Sequence, residues 1–366
     1  VNGPAGIAAP IALIAELTHR CPLSCGYCSN PLELERASAE LDTRTWSRVF
    51  AEAAGMGVLH LHLTGGEPMS RRDLPALIRA ATGAGLYTNL ITSGIALDAA
   101  ALASLIEAGV DHVQLSFQDS LPGSADQIGG YRGGHARKLA AAARVVASGL
   151  PLTANFVVHR GNLDRISDIL ALGEDLGASR IEIAHVQYHG WAMLNRAALM
   201  PTFSQLEAAT AAVGAARARL AGRVVIDYVV PDYFATRPKA CMGGWGQRII
   251  NVSPAGLAMP CHAATSVPGL IFPSVRERSL AEIWTGSEVF AMFRAPAFAP
   301  ESCRGCERLE VDWGGCRCQA HALTGDPARA DPACALSPDH GLVIAALAET
   351  RADAVVPRRM PTVVGN

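Results

Sequence analysis

The sequence has no surplus of charge of either sign: 31 Lys and Arg face 33 Asp and Glu, a formal charge of -2 over 366 residues. A nucleic-acid binder needs a basic footprint, so that class is excluded. No apolar run reaches the ~18 residues that a membrane span requires. The apolar stretch Ile7 to Ala15 lacks a basic flank and runs straight into a cysteine motif, so it reads as a buried first strand and not as a signal peptide. The chain opens on Val1 without an initiator Met, which suggests processing or trimming. A composition of 50% hydrophobic and 17% charged residues excludes a disordered or collagen-like polymer. At roughly 150 residues per domain, the length suggests about two domains.

Cysteine is scarce for a disulfide scaffold, at ten residues in 366 against the ~8–10% such scaffolds carry. It is also unevenly spread. Three lie between Cys21 and Cys28, none between residues 29 and 240, and seven between Cys241 and Cys334. A chain with a full core does not need staples, and short clustered spacings favour metal or redox chemistry in a reducing compartment. The expected location is the cytoplasm.

Residues 12–230 alternate strand and helix patterns. Strands are expected at Ala12–Thr18, Val58–Leu63, Leu86–Thr92, Val113–Phe117, Leu152–Val158 and Ile181–Val186. Helical spacing fills Thr43–Ala54, Leu74–Thr82, Asp98–Ala108, Arg137–Ala147 and Leu163–Leu176, with stops at Gly109 and Gly177. Six βα units in a row predict an α/β fold with a parallel sheet, either open or curled into a barrel, and active residues at the C-terminal strand ends. Near residue 231 the alternation stops. Arg248–Val252 and Leu257–Cys261, joined by Ser253-Pro254-Ala255-Gly256, read as a hairpin. Leu280–Phe293 reads as one helix. Residues 302–340 are loop-rich, with little core unless a metal supplies it. The tail after Val355 is expected to be mobile.

Two motifs fall at the first strand ends. Cys21-x3-Cys25-x2-Cys28 places three thiolates within eight residues, enough to wrap a cuboidal iron–sulfur cluster and leave one iron open. The alternatives are a zinc loop or unrelated thiols; structural zinc wants a fourth ligand, and His19 is too close in sequence to complete a tetrahedron easily. Thr64-Gly65-Gly66-Glu67-Pro68 follows the second strand; the glycines allow close backbone approach, and their carbonyls can accept from an ammonium group. Alone, such a pair is most often a turn.

Together the two motifs resemble the radical S-adenosylmethionine superfamily. The resemblance implies a partial (β/α)6 TIM-like barrel over residues 1–230, with a [4Fe-4S] cluster at Cys21, Cys25 and Cys28. S-adenosylmethionine would be chelated on the open iron and cleaved by one electron to methionine and a 5′-deoxyadenosyl radical. Tyr27, Gly65, Gly66, Glu67, Pro68, Ser93 and Ser116 match positions that bind this cofactor in the superfamily. The C-terminal cysteines resemble its SPASM extension, here residues 231–340, with a helix and tail over 341–366. The pattern implies two auxiliary iron–sulfur clusters. Cys241, Cys261 and Cys316 would hold the first, with Cys318 as fourth ligand; Cys303, Cys306 and Cys334 would hold the second. Asp312 stands where the general pattern has a cysteine and is expected to supply an oxygen ligand there.

Longer strings, Thr18–Pro31, Gln114–Gln118, Gln187–Ala192, Gly314–Ala320 and Asp331–Pro338, resemble the pyrroloquinoline quinone (PQQ) synthesis branch of this superfamily. His189 departs from the Tyr expected in that branch. The resemblance implies an enzyme that cross-links a Glu side-chain carbon to a Tyr ring carbon in the PqqA precursor peptide. A carrier protein, PqqD, would deliver the peptide, and a low-potential electron donor would be needed. His185, Tyr188 and His189, after the sixth strand, are the candidate proton acceptors. A thioether-forming SPASM maturase, or a zinc or iron–sulfur electron-relay protein without catalysis, is the competing reading.

Overall fold

The computed structural model describes residues 7–240, 243–349 and 354–359. Six parallel strands, β1 Ala12–Glu16, β2 His60–Thr64, β3 Tyr87–Thr92, β4 His112–Phe117, β5 Leu152–Val158 and β6 Arg180–His185, lie within two residues of the expected positions. The sheet then grows at both ends. β7 (Val225–Val229) adds parallel to β6, β8 (Ile249–Val252) adds parallel to β1, and β9 (Ala258–Met259) pairs antiparallel with β8. The order is β7-β6-β5-β4-β3-β2-β1-β8-β9, with β7 and β9 as its two edges among the described residues: a partial barrel that does not close. The expected hairpin is therefore β8–β9, and it continues the barrel sheet.

Helices cover the outside because their apolar stripes match the sheet. Helix Thr43–Gly55 buries Trp46, Val49, Phe50 and Ala53, and Asp42 caps it by accepting from the Thr45 amide at 2.8 Å. The expected stops at Gly109 and Gly177 have φ of 92° and 72°, a backbone that glycine adopts without a Cβ penalty. On the inner face the strands carry polar residues. Gln114 and Asn155 donate to Glu182 at 3.0 and 2.7 Å, forming a hydrogen-bonded layer inside the barrel.

One expectation is corrected. Leu280–Phe293 is two helices, Leu280–Gly286 and Glu288–Ala291. Ser287 between them is extended (φ -86°, ψ 128°), and the bend lets Trp284 and Phe290 pack edge to face at 5.6 Å within the core. Of the tail expected to be mobile, residues 360–366 lie outside the described residues, and the described part is hydrogen-bonded. Val356 exchanges hydrogen bonds with Asn195, and the Arg358 amide donates to the Ser24 carbonyl at 3.0 Å.

Candidate active site

A cavity of about 330 Å³ opens at the C-terminal ends of the strands, lined by Cys21, Cys25, Tyr27, Cys28, Gly65, Gly66, Ser93 and Ser116 among others. The loop after β1 and the turn after β2 are pinned together to make it. The Gly66 amide donates to the Thr18 carbonyl at 2.5 Å and the Glu67 amide to the Arg20 carbonyl at 2.7 Å. Gly65 has φ 133°, and a Cβ there would sit 2.3 Å from the Thr18 oxygen; on Gly66 it would sit 2.5 Å from the Arg20 oxygen. The glycines are thus required for backbone-to-backbone approach.

Glu67 is placed differently from its neighbours. It is buried, and its carboxylate accepts from the Met69 amide at 3.0 Å, Thr92 Oγ1 at 2.6 Å, and the Ser93 amide at 2.7 Å and hydroxyl. It ties the end of β3 to the glycine turn and does not line the cavity. Pro68 starts the short 3-10 turn that follows, also behind the wall.

Sequence reasoning missed the chain of side chains behind Cys25. Lys138 Nζ donates to the Ser116 carbonyl at 2.7 Å and to Gln118 Oε1 at 2.5 Å; Gln118 donates to the Tyr27 hydroxyl at 3.0 Å, and Tyr27 is hydrogen-bonded to Cys25. Burial pushes the three thiols up, Cys21 to about 11, and pushes Lys138 down to about 8, with Cys25 opposing the latter. The signal available was rarity: Lys138 and Lys239 are the two lysines of the sequence; Lys239 lines a cavity, and Lys138 bonds to Ser116 and Gln118, which line another. Arg358, buried and lining the cavity itself, was also missed. Three thiols on one loop, flanked by buried cations, fit an iron–sulfur cluster whose thiolates need compensating charge.

A second cavity, of about 270 Å³, is lined by Val229, Val230, Lys239, Cys261, Cys316 and Gln319, and shares His185, Val186, Gln187 and His262 with the first. Beside it, Cys318 is hydrogen-bonded to both Cys261 and Cys316, contacts that with burial hold its thiol well above the usual range. Cys241, the other residue assigned to this set, lies outside the described residues. Asp331 supports the group: its buried carboxylate accepts from the Cys316 amide at 2.8 Å, Gln319 at 2.8 Å and the Ala333 amide at 2.9 Å, and burial pushes it up to about 7. No disulfide joins the described cysteines.

Burial pushes the Cys303 thiol up, and the nearby Asp312 and Cys334 add to that push; Cys306 follows in the same turn, its amide donating to the Cys303 carbonyl at 3.0 Å. Asp312 is buried, 3.5 Å from Arg308 Nε, and accepts from the Gly314 amide at 3.0 Å. Arg317, between Cys316 and Cys318, is buried and donates to the carbonyls of Gly314, Pro327 and Arg329, which fixes the loop that carries both cysteine groups.

The three candidate proton acceptors separate. His185 faces both cavities; burial lowers it to about 4, so it is neutral at pH 7, with Nδ1 unpartnered among the described residues and Nε2 3.3 Å from the Tyr228 hydroxyl. Tyr188 turns its hydroxyl onto Met200 Sδ at 3.2 Å, and burial holds it above the usual phenol range. His189 borders the second cavity, its ring 6.5 Å from that of His262.

Residues 15–172 match the family model of the radical SAM superfamily, and residues 241–307 match that of an iron–sulfur cluster-binding domain, SPASM. The fold and the cysteine-lined cavity define a radical S-adenosylmethionine enzyme that uses this cofactor and iron–sulfur clusters. A PqqA peptide cyclase of Granulibacter bethesdensis is 58% identical over 331 residues, 90% of this chain and 88% of the relative. Another, of Ruegeria pomeroyi, is 55% identical over 359 residues, 97% and 96%. The chain belongs to the PqqA peptide cyclase family. The crystal structure of Streptococcus suis SuiB bound to S-adenosylmethionine shares the fold with a TM-score of 0.72 at 18% identity, over 88% of this chain and 76% of that one. SuiB bound to the precursor peptide SuiA gives 0.73 at 17%, over 89% and 76%.

Proposed function

We propose that this enzyme joins a Glu side-chain carbon to a Tyr ring carbon within the precursor peptide PqqA, as a step of PQQ biosynthesis. When bound, the reduced N-terminal cluster and S-adenosylmethionine supply a 5′-deoxyadenosyl radical. Cys21, Cys25 and Cys28 would hold that cluster, with Tyr27, Gly65, Gly66, Ser93 and Ser116 around the cofactor and Glu67 bracing the turn. The overall change is one new C–C bond, one hydrogen atom removed from Glu, and one proton and one electron lost from the Tyr ring.

The observation that carries this reading is that the two cavities adjoin, with His185, Val186, Gln187 and His262 lining both. A peptide lying across the shared wall of His185, Gln187 and His262 would touch the cofactor on one side and the Cys261, Cys316, Cys318 group on the other. Neutral His185 would take the ring proton; its Nδ1, unpartnered among the described residues, supports that role. The centre held by Cys261, Cys316, Cys318 and Cys241 would receive the electron. Cys303, Cys306, Cys334 and Asp312 would hold the second auxiliary centre. Residues 1–230 would form the barrel, to which β8 and β9 add from a cluster-bearing extension over 231–340, and 341–366 would be the C-terminal helix and tail. PqqD would present the peptide, a low-potential donor would reduce the first cluster, and the cysteines suit the cytoplasm. No helix among the described residues is long and apolar enough to cross a membrane.

The test is mass spectrometry of PqqA incubated with enzyme, cofactor and reductant under anaerobic conditions. Loss of two hydrogens confined to a Glu–Tyr pair supports the reading. An unmodified peptide, or one cross-linked elsewhere, refutes it.

A further inference from the structure

The described C-terminal segment, 354–359, is bound against the cysteine loop near the start of the chain. Asn195 clamps the two together: its Nδ2 donates to the Gly26 carbonyl at 2.8 Å and to the Val356 carbonyl at 2.8 Å, while its Oδ1 accepts from the Val356 amide at 2.7 Å. Gly26, between Cys25 and Tyr27, is the seat of the tail. Any Cβ there would fall 2.2 Å from Val355 Cγ1 and 3.0 Å from the Val356 carbonyl oxygen. The next anchor is Arg358, whose amide bonds to Ser24 and whose guanidinium donates to the His19 carbonyl, 339 positions away in sequence.

Arg358 is 4% exposed and lines the same cavity as Cys21, Cys25 and Cys28. Its Nε has no hydrogen-bond partner among the described residues. A buried guanidinium with an unspent donor is costly unless an anion faces it. Three thiolates and a carboxylate-bearing cofactor are such an anion source.

We infer that Arg358 is the counter-cation of the N-terminal iron–sulfur site, carried there by the C-terminal tail, and that it makes the cluster easier to reduce. Reduction adds one electron to a centre already negative through its thiolates, and a fixed positive charge at close range offsets that addition. Lys138 reaches Tyr27, and through it Cys25, by way of Gln118; Arg358 is the cation that lines the cavity with the three cysteines. It is a positioning and charge-setting residue and takes no proton or electron itself. The inference rests on the cluster and cofactor occupying this cavity.

The test is an EPR-monitored redox titration of the holoenzyme, comparing wild type with Arg358→Gln and Arg358→Lys. Arg358→Gln is expected to shift the reduction equilibrium of the N-terminal cluster about tenfold toward the oxidised state, which is ~59 mV for one electron. The auxiliary centres should stay at their wild-type potentials, which also reports an intact fold. Arg358→Lys keeps the charge without the planar donor and should recover most of the shift. An unchanged potential in Arg358→Gln, or equal losses in both variants, overturns the inference. If Arg358→Gln loses the cluster, retention of cluster and potential with Lys supports the charge role, and loss with both overturns it. A wild-type cluster whose EPR signal ignores S-adenosylmethionine would instead refute the site assignment beneath the inference.

Discussion

Cys25 is the most enclosed of the three N-terminal cysteines and the one reached by the Lys138–Gln118–Tyr27 chain. Replacing a cluster ligand removes more than an outer partner does, and outer partners already cost ~10–100-fold. Cys25→Ala should therefore reduce 5′-deoxyadenosine release to background, while iron and sulfide counts fall by one cluster and the auxiliary centres remain. Normal nucleoside yield would rule against the site. His159 makes a second residue-scale case. Burial lowers it to about 4, its Nδ1 accepts from the Gly161 amide at 3.1 Å, and Nε2 has no partner among the described residues. A histidine with a depressed folded value gives stability that is present above the unfolded value of 6.5 and lost as pH falls toward 4. His159→Gln, which keeps an acceptor but cannot titrate, should remove ~3 kcal/mol of that acid-dependent loss. Urea unfolding of both proteins at neutral and acid pH reads the difference.

At the scale of elements, the turn after β2 decides whether the cluster loop has a place to sit. Gly66→Ala puts a Cβ against the Arg20 carbonyl oxygen, a backbone atom that cannot swing aside. The expected cost is at least ~2 kcal/mol of stability, with iron lost from the N-terminal site before the auxiliary ones. Thermal unfolding and metal analysis check both; wild-type stability with a full iron count would contradict the fit. Elements differ in how well the sequence exposes them. β1 to β6 and the helices expected between them repeat one pattern of buried strand and amphipathic helix, so these were legible alone. β7 and helix Phe203–Leu220, which opens with the Thr202–Gln205 capping box, went unrecognised. The break at Ser287 was hidden as well, because an apolar pattern does not say whether Trp284 and Phe290 face the core along one axis or two.

For the whole molecule, the decisive feature is that the barrel cavity and the cluster-domain cavity share a wall. Val230 lines the second and not the first. Val230→Trp should fill the peptide side alone, lowering cross-linked product by about 10²-fold through misplacement of the reacting carbons. 5′-Deoxyadenosine formed without peptide should stay at the wild-type level. Parallel loss of both activities would show that the two cavities do not serve separate parts of the reaction.

The sequence by itself determined the cysteine inventory, the six βα units and the glycine turn. Each is a local matter: a thiol spacing within eight residues, a two-residue or 3.6-residue period, and a backbone that admits no Cβ. The tertiary structure decided which groups meet. Glu67 sits beside two lining residues yet turns away from the cavity to bind Ser93. Cys318 gathers Cys261 across 57 positions, and Arg358 crosses 339 to reach the first cysteine loop. Such contacts follow from sheet register and from the path of a tail over the barrel mouth. No local pattern encodes them, because their energy comes from burial and charge pairing that exist only once the chain has closed on itself.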